Sequence, residues 1–260
     1  MSGSWDPAQY RRFAAERRQP FDDLVALCRP VPGGTVVDLG CGTGRLTADL
    51  HRDLNAAATV GLDSSEAMLA EAPTGIPGLT FVGGDLARWD GPAVDVVFAN
   101  ASLQWVDDHP GLLGRLRGAL RPGGQLAFQV PTNFGHPSHR VAREVAAEPP
   151  FAAALAAAGG PPPDRGTAVL SPTAYAECLD DLGATDQVVR LQVYGHRLEG
   201  TAAVVDWVQG TLLTPYRRQL DPATYGAFVD RYRARLVEVL GDRRPYFYAF
   251  PRILGWARFP

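Results

Sequence analysis

Residues 35–47, Thr-Val-Val-Asp-Leu-Gly-Cys-Gly-Thr-Gly-Arg-Leu-Thr, constrain this chain more than any other stretch. A β-branched run stops at Asp38, and Gly40, Gly42 and Gly44 follow before an amphipathic stretch begins. That order reads as a buried strand, a tight turn where a ligand rests against bare backbone, and a helix N-terminus. In nucleotide-type folds this junction cradles a cofactor. A dinucleotide fingerprint wants glycines at first, third and sixth positions. The sixth here is Arg45, which argues against an NAD-dependent dehydrogenase.

The alternation of strand and helix signals continues to residue 131. Short β-rich runs fall at 35–40, 58–63, 79–83, 94–100 and 125–130, with helical patterns around 46–53, 65–72 and 110–120. This spacing predicts an α/β fold, a parallel sheet with helices on both faces. Ser64-Ser65-Glu66 reads as a helix cap, and 120–124 as a helix end turning into the next strand. After Pro131 the pattern breaks. Residues 132–170 hold Pro149-Pro150, an alanine-rich stretch and Gly159-Gly160-Pro161-Pro162-Pro163, and read as an insertion with a mobile loop. A helix over 172–182, a strand over 187–194 and helical periodicity over 201–240 follow, and 250–259 reads as a last strand with Pro251 at its start. The expected division is a cofactor-binding core with an N-terminal lid helix (1–131), a cap insertion (132–170), a core helix and strand (171–199), a helical cap insertion (200–248) and a final core strand (249–260). The two insertions are expected to meet as a cap over the glycine turn.

Composition narrows the chemistry. The 260 residues can bury a substantial core. A net charge of −3 leaves no basic field to neutralise phosphates, which argues against nucleic acid. All 25 basic residues are arginine, so any cation that meets a substrate is a guanidinium, whose fork pairs well with carboxylates. Cys28, Cys41 and Cys178 show no metal-ligand spacing, and the five histidines form no metal-binding pair. His136 and His139 flank Pro137 and read as a solvated loop. Free thiols, with no signal peptide or long apolar run, point to a cytoplasmic protein without a membrane partner.

Asp63 closes the second strand 19 residues beyond Gly44, where a ribose-binding acid belongs, since vicinal hydroxyls need a bidentate acceptor. Near the N-terminus, Tyr10, Phe13 and Arg17 fall on neighbouring helical turns. They read as a lid whose Tyr10 and Arg17 reach the cofactor or cover the site.

The stretch Asp38-Leu39-Gly40-Cys41-Gly42-Thr43-Gly44 resembles motif I of the class I S-adenosylmethionine (SAM) methyltransferases. Other segments resemble the trans-aconitate 2-methyltransferase family along nearly the whole chain. They are Trp5-Asp6-Pro7 with Tyr10 and Arg17; Gly61-Leu62-Asp63-Ser64-Ser65 with Met68; Asn100-Ala101-Ser102-Leu103-Gln104-Trp105; Gln129-Val130-Pro131 with Asn133; Asp206-Trp207-Val208; and Phe250-Pro251-Arg252. The resemblance implies SAM as cofactor, with Asp38, the three glycines, Asp63, Ser64 and Met68 in its site. It implies Asp85 on the adenine amine, Leu86 donating backbone to the ring, and Asn100 facing the methionine part. It implies methyl transfer to one carboxylate of a small polycarboxylate, trans-aconitate, with no metal.

A carboxylate is ionised at neutral pH, so methyl transfer to it needs no acid or base residue. Its further charges need fixed cations, and the arginines of the presumed cap are the candidates. Arg252 leads because the resemblance carries it, and Arg217 (or Arg218) and Arg143 (or Arg140) follow. Gln104, Trp105, Tyr216 and Tyr246 add donors and shape. Open alternatives are another small carboxylic acid, a carrier-bound acyl group, and a non-catalytic SAM-binding regulator.

Overall fold

A computed structural model describes residues 14–260, with side chains from Arg18 onward. Five parallel strands, β1 (Thr35–Leu39), β2 (Ala58–Asp63), β3 (Leu79–Gly83), β4 (Val94–Asn100) and β5 (Leu120–Pro131), are joined by β6 (Asp186–Leu198) and β7 (Tyr246–Arg258). The order is β3-β2-β1-β4-β5-β7-β6, and β7 runs antiparallel to both neighbours. The order reverses between β1 and β4, and open α/β sheets bind ligands at that crevice.

Period-two alternation sends consecutive residues to opposite faces. Val36, Val96, Ala127 and Leu254 pack with Phe21 and Leu24 of α1 (Ala14–Val25) and Leu50 of α2 (Arg45–Asp53). Val37, Val97, Leu126 and Ile253 pack on the other face with Leu112 of α4 (His109–Gly118) and Tyr175 of α7 (Pro172–Asp181). Between them in sequence, α3 (Glu66–Leu69) is one turn, shorter than the 65–72 pattern suggests, and Ser65 caps it through Met68 N. The helix before β5 ends at Gly118, and Leu120 already pairs with Val94, so 120–124 belongs to the strand rather than to a helix end.

Residues 132–170 form the insertion between β5 and the next core helix. They carry α5 (Pro137–Ala146) and α6 (Pro149–Ala157), both with proline in the first turn, where its missing amide breaks no helical bond. Residues 201–240 supply α8 (Ala203–Gln209), α9 (Thr214–Gln219) and α10 (Pro222–Leu240). These five helices share one core with Tyr246, Tyr248 and Phe250 of β7, built on Val141, Phe151, Trp207, Phe228 and Tyr232. Pro251 lies inside β7 rather than at its start. Its carbonyl accepts from Thr132 N, so its amide position also faces β5, just where that pairing ends at Arg252–Pro131. No described helix is long and apolar enough to cross a membrane.

Candidate active site

The glycine turn is built by close approach. Gly40 has φ +81°, and a Cβ there would stand 2.4 Å from Ser102 Cβ on the neighbouring strand tip. Gly44, at φ +68°, opens α2, and a Cβ there would strike the Phe81 ring at 2.4 Å. Gly42 N donates to Asp63 Oδ2 at 2.9 Å, and Ser65 N to Asp63 Oδ1 at 2.8 Å. Asp63 is thereby held between the turn and α3, each oxygen keeping a lone pair for a ligand hydroxyl. Asp38 lies behind the turn, nearly fully buried, and takes the Thr47 hydroxyl on Oδ2 at 2.6 Å. Burial pushes this carboxyl up to about 7; the Thr47 hydrogen bond opposes the rise and the nearby Asp63 adds to it. Its Oδ1 is buried with no hydrogen-bond partner. An acid so placed suits a cationic ligand.

A cavity of about 630 Å³ opens in front of these strand tips. Gly40, Gly42, Asp63, Ser64, Met68, Asp85, Leu86 and Asn100 line it, all of them expected from the sequence. The β4 tip is shaped by Ala101, whose φ of +56° is uncommon for a residue with a Cβ. Gln104 Nε2 donates to the Ala101 carbonyl at 2.6 Å, and the Ser102 hydroxyl to the Leu39 carbonyl. Asp85 takes Ala87 N on Oδ1 at 2.9 Å, turning the chain at residues 86–88 towards the cavity. The acids Asp63 and Asp85 and a glycine cradle fit SAM, whose nucleoside offers hydroxyls and an amine and whose other end is cationic. Among the described residues no cluster of His, Cys, Asp and Glu could hold a metal.

The same cavity reaches under the cap, where Gln104, Trp105, Arg165, Trp207, Arg218 and Arg252 line it. Arg252 is 5% exposed, donates to Gln129 Oε1 at 3.0 Å and lies 4.7 Å from the Phe250 ring centre. A smaller lobe of about 110 Å³ shares the walls Gln104, Trp105, Arg165 and Trp207 and continues between Phe134, His139, Arg143, Asp164 and Tyr216. Arg143 Nη1 meets Asp164 Oδ2 at 3.0 Å, and Arg165 Nη1 meets Asp107 Oδ1 at 2.6 Å.

Not every expected residue arrives there. Arg217 is exposed and lines neither cavity; one position on, Arg218 does. Tyr246 accepts or donates a hydrogen bond with His136 Nε2 at 3.0 Å inside the cap, away from both cavities. Arg140 is exposed and paired with Glu144. His136 and His139 are not in a solvated loop: His136 caps α5, and His139 is buried in its first turn. Burial pushes both imidazoles down to about 4, with His136 and Arg143 adding to the effect at His139. The lid assigned to Tyr10, Phe13 and Arg17 lies outside the described side chains. Arg165, Gln129 and Thr211 were missed; only Gln129, in the quoted Gln129-Val130-Pro131 segment, carried any signal. Burial pushes the Cys41 thiol well up, so it is no nucleophile.

Residues 36–124 match the family described as methyltransferase domain. Among solved structures, the YcgJ protein of Bacillus subtilis aligns with a TM-score of 0.61 over 93% of this chain and 98% of its own, at 11% identity. Phosphoethanolamine N-methyltransferase 2 of Haemonchus contortus, solved with phosphomonomethylethanolamine and S-adenosylhomocysteine, aligns at 0.56 over 94% of this chain and 52% of its own, at 16% identity. Fold and site together define a class I SAM-dependent methyltransferase. Trans-aconitate 2-methyltransferase of Deinococcus radiodurans is 44% identical over 260 residues, 99% of both chains. The enzyme of that name from Escherichia coli O157:H7 is 38% identical over 258 residues, 98% of both. The chain belongs to the trans-aconitate 2-methyltransferase family.

Proposed function

We propose that this enzyme transfers the methyl group of SAM to one carboxylate of trans-aconitate, leaving a monomethyl ester and S-adenosylhomocysteine. One observation carries the reading: Arg252, Arg218 and Arg165 line the cavity in front of the strand tips, and Arg143 lines the smaller lobe that shares Arg165 with it. The 38–44% identity to enzymes of that name supports it.

SAM, when bound, supplies an electrophilic methyl carbon. Everything else is positioning. Asp63 takes the ribose hydroxyls on oxygens already oriented by Gly42 and Ser65. Asp85 and Leu86 meet the adenine, Ser64 and Met68 flank it, and the glycine turn, backed by Asp38, holds the methionine end with Asn100. Across the cavity the acceptor is already ionised and needs no base, so the cap supplies orientation and charge. A tricarboxylate brings about three negative charges, and each one left unpaired in the interior would cost several kcal/mol. Guanidiniums at Arg252, Arg218 and Arg143 neutralise the spectator carboxylates, and Gln104, Trp105 and Tyr216 shape the space. The attacking oxygen has to stay loosely held, because a tight pair with it stabilises the ground state.

The core (1–131, 171–199 and 249–260) binds the cofactor in this reading and lends Gln104, Trp105 and Arg252 to the acceptor, whose other partners come from the insertions at 132–170 and 200–248. Three free cysteines support a reducing, cytoplasmic setting, and a net charge of −3 favours a small-molecule partner over nucleic acid. The apolar walls of the inner lobe, Phe134, Val208 and Leu212, favour as second reading another small carboxylic acid. Turnover with SAM and a panel of acids, read as S-adenosylhomocysteine, tests both. Trans-aconitate is expected to be the best acceptor; an inert trans-aconitate beside another active acid would replace the acceptor and leave the enzyme class standing.

A further inference from the structure

Residues 159–165 form a strap along the inner lobe, and its chemistry is unlike that of a plain connection. It starts at Gly159 and Gly160, both at φ +100° with open space where a Cβ would stand. Three prolines follow, which stiffen the chain towards Asp164 and Arg165. The strap ends in two ion pairs of opposite sense: Asp164 with Arg143 of α5, and Arg165 with Asp107 beyond the β4 tip. Gln219 of α9 also donates to the Gly160 carbonyl at 2.8 Å.

Arg143 projects into a lobe whose other walls are mostly rings and aliphatic groups, and its anion there is a carboxylate of the chain itself. Arg143 and Asp164 are 45% and 39% exposed, the regime where an ion pair exchanges easily. Tyr216 and His139 both feel Arg143 and Asp164 electrostatically, which puts all four groups in one place. We infer that Asp164 occupies on Arg143 the position that a carboxylate of the acceptor takes in turnover, so that binding exchanges one carboxylate for another and removes one of the two ion pairs that hold the strap. This rests on the polycarboxylate reading and names the residue against which that acceptor competes. An acceptor anchored elsewhere by Arg252 meets Arg143 at high effective concentration, which favours it over a weak internal partner.

Calorimetric titration of trans-aconitate into enzyme loaded with S-adenosylhomocysteine tests the exchange. Asp164→Asn removes the competing charge and keeps an oxygen for Gly166 N, which Asp164 Oδ1 accepts at 3.0 Å. It should tighten binding by about 1.5- to 5-fold, the range that an exposed ion pair supports. Arg143→Gln should weaken it, and the double variant should match Arg143→Gln alone. A general loss of folding cannot mimic affinities that move in opposite directions. Binding by wild type that is unchanged or weaker in Asp164→Asn, or unaffected by Arg143→Gln, overturns the exchange and leaves the acceptor standing. No binding by either wild type or Asp164→Asn overturns both.

Discussion

The Arg252 guanidinium donates to Gln129 Oε1 at 3.0 Å, and the strand register makes that contact. Arg252 faces Pro131 and Leu254 faces Gln129 across the β5–β7 pair, so the two side chains share one sheet face. Gln129 Nε2 then donates to Asn100 Oδ1 at 2.7 Å. The buried cation is thus tied to the β4 tip, and all three residues line one cavity. Arg252→Ala is expected to raise KM for trans-aconitate by at least about 30-fold, because truncating one member of a buried charged pair costs about 2–5 kcal/mol. Affinity for S-adenosylhomocysteine should stay near normal. Arg252→Lys should rescue little, since an ammonium lacks the fork. Equal losses of acceptor and cofactor affinity would contradict the assignment.

Asp63 is the corresponding anchor on the cofactor side in the proposed reading. Its two oxygens already accept from Gly42 N and Ser65 N, so the carboxylate cannot turn away from the cavity. Asp63→Ala should weaken S-adenosylhomocysteine binding by at least about 10-fold, the worth of one hydrogen bond to a charged group. Asp63→Asn, which keeps one oxygen, should fall between. Unchanged calorimetric affinity in the alanine variant would refute the role.

Acid should destabilise the ligand-free protein through the cap. His136 and His139 titrate near 4 when folded and near 6.5 when unfolded, so between those values the unfolded chain binds two more protons. Stability therefore falls as pH drops through that window, and His109, also lowered by burial, acts in the same direction. Asp38 opposes them. Its carboxyl titrates near 7 folded and 3.8 unfolded, so its share is present below 3.8 and is lost as pH rises to 7. His136 and His139 against Asp38 leave a net loss of up to about 1.4 kcal/mol per pH unit on acidification, and His109 adds to it. Urea unfolding at pH 5 and pH 6.5 should show it. His139→Gln should flatten the dependence and Asp38→Asn should steepen it; a slope that neither variant moves would sink the account.

The parallel core was legible because its strands read as short β-rich runs that stop at a polar residue or a glycine near the site. The runs 58–63, 79–83 and 94–100 coincide with β2, β3 and β4, and each ends at the cavity rim or beside it. The cap was harder. Pro137 and Pro149 look like breakers until each is seen to start a helix, and the alanine-rich run that becomes α6 has no polar contrast to mark a face. Arg217 and Arg218 differ by one position, about 100° around a helix, which decides which of them meets the cavity. The Arg143–Asp164 pair joins residues from different elements and has no periodic trace at all. Chemistry at strand ends is local and readable, whereas chemistry between packed helices depends on rotation.

Gly40 offers a separation of two causes that usually travel together. Its φ of +81° disfavours any side chain, and a Cβ would also stand 2.4 Å from Ser102 Cβ. Ser102 cannot easily retreat, since its hydroxyl donates to the Leu39 carbonyl. Gly40→Ala is expected to push the β1 and β4 tips apart and to weaken S-adenosylhomocysteine binding, with a stability loss of at least about 1–2 kcal/mol from the left-handed backbone alone. Adding Ser102→Gly removes the collision and leaves the backbone strain. The double variant should recover part of the cofactor affinity and little of the stability, read by calorimetry and urea unfolding. If it recovers neither, the glycine is required by backbone conformation alone; full recovery of both would show that crowding was the whole cause.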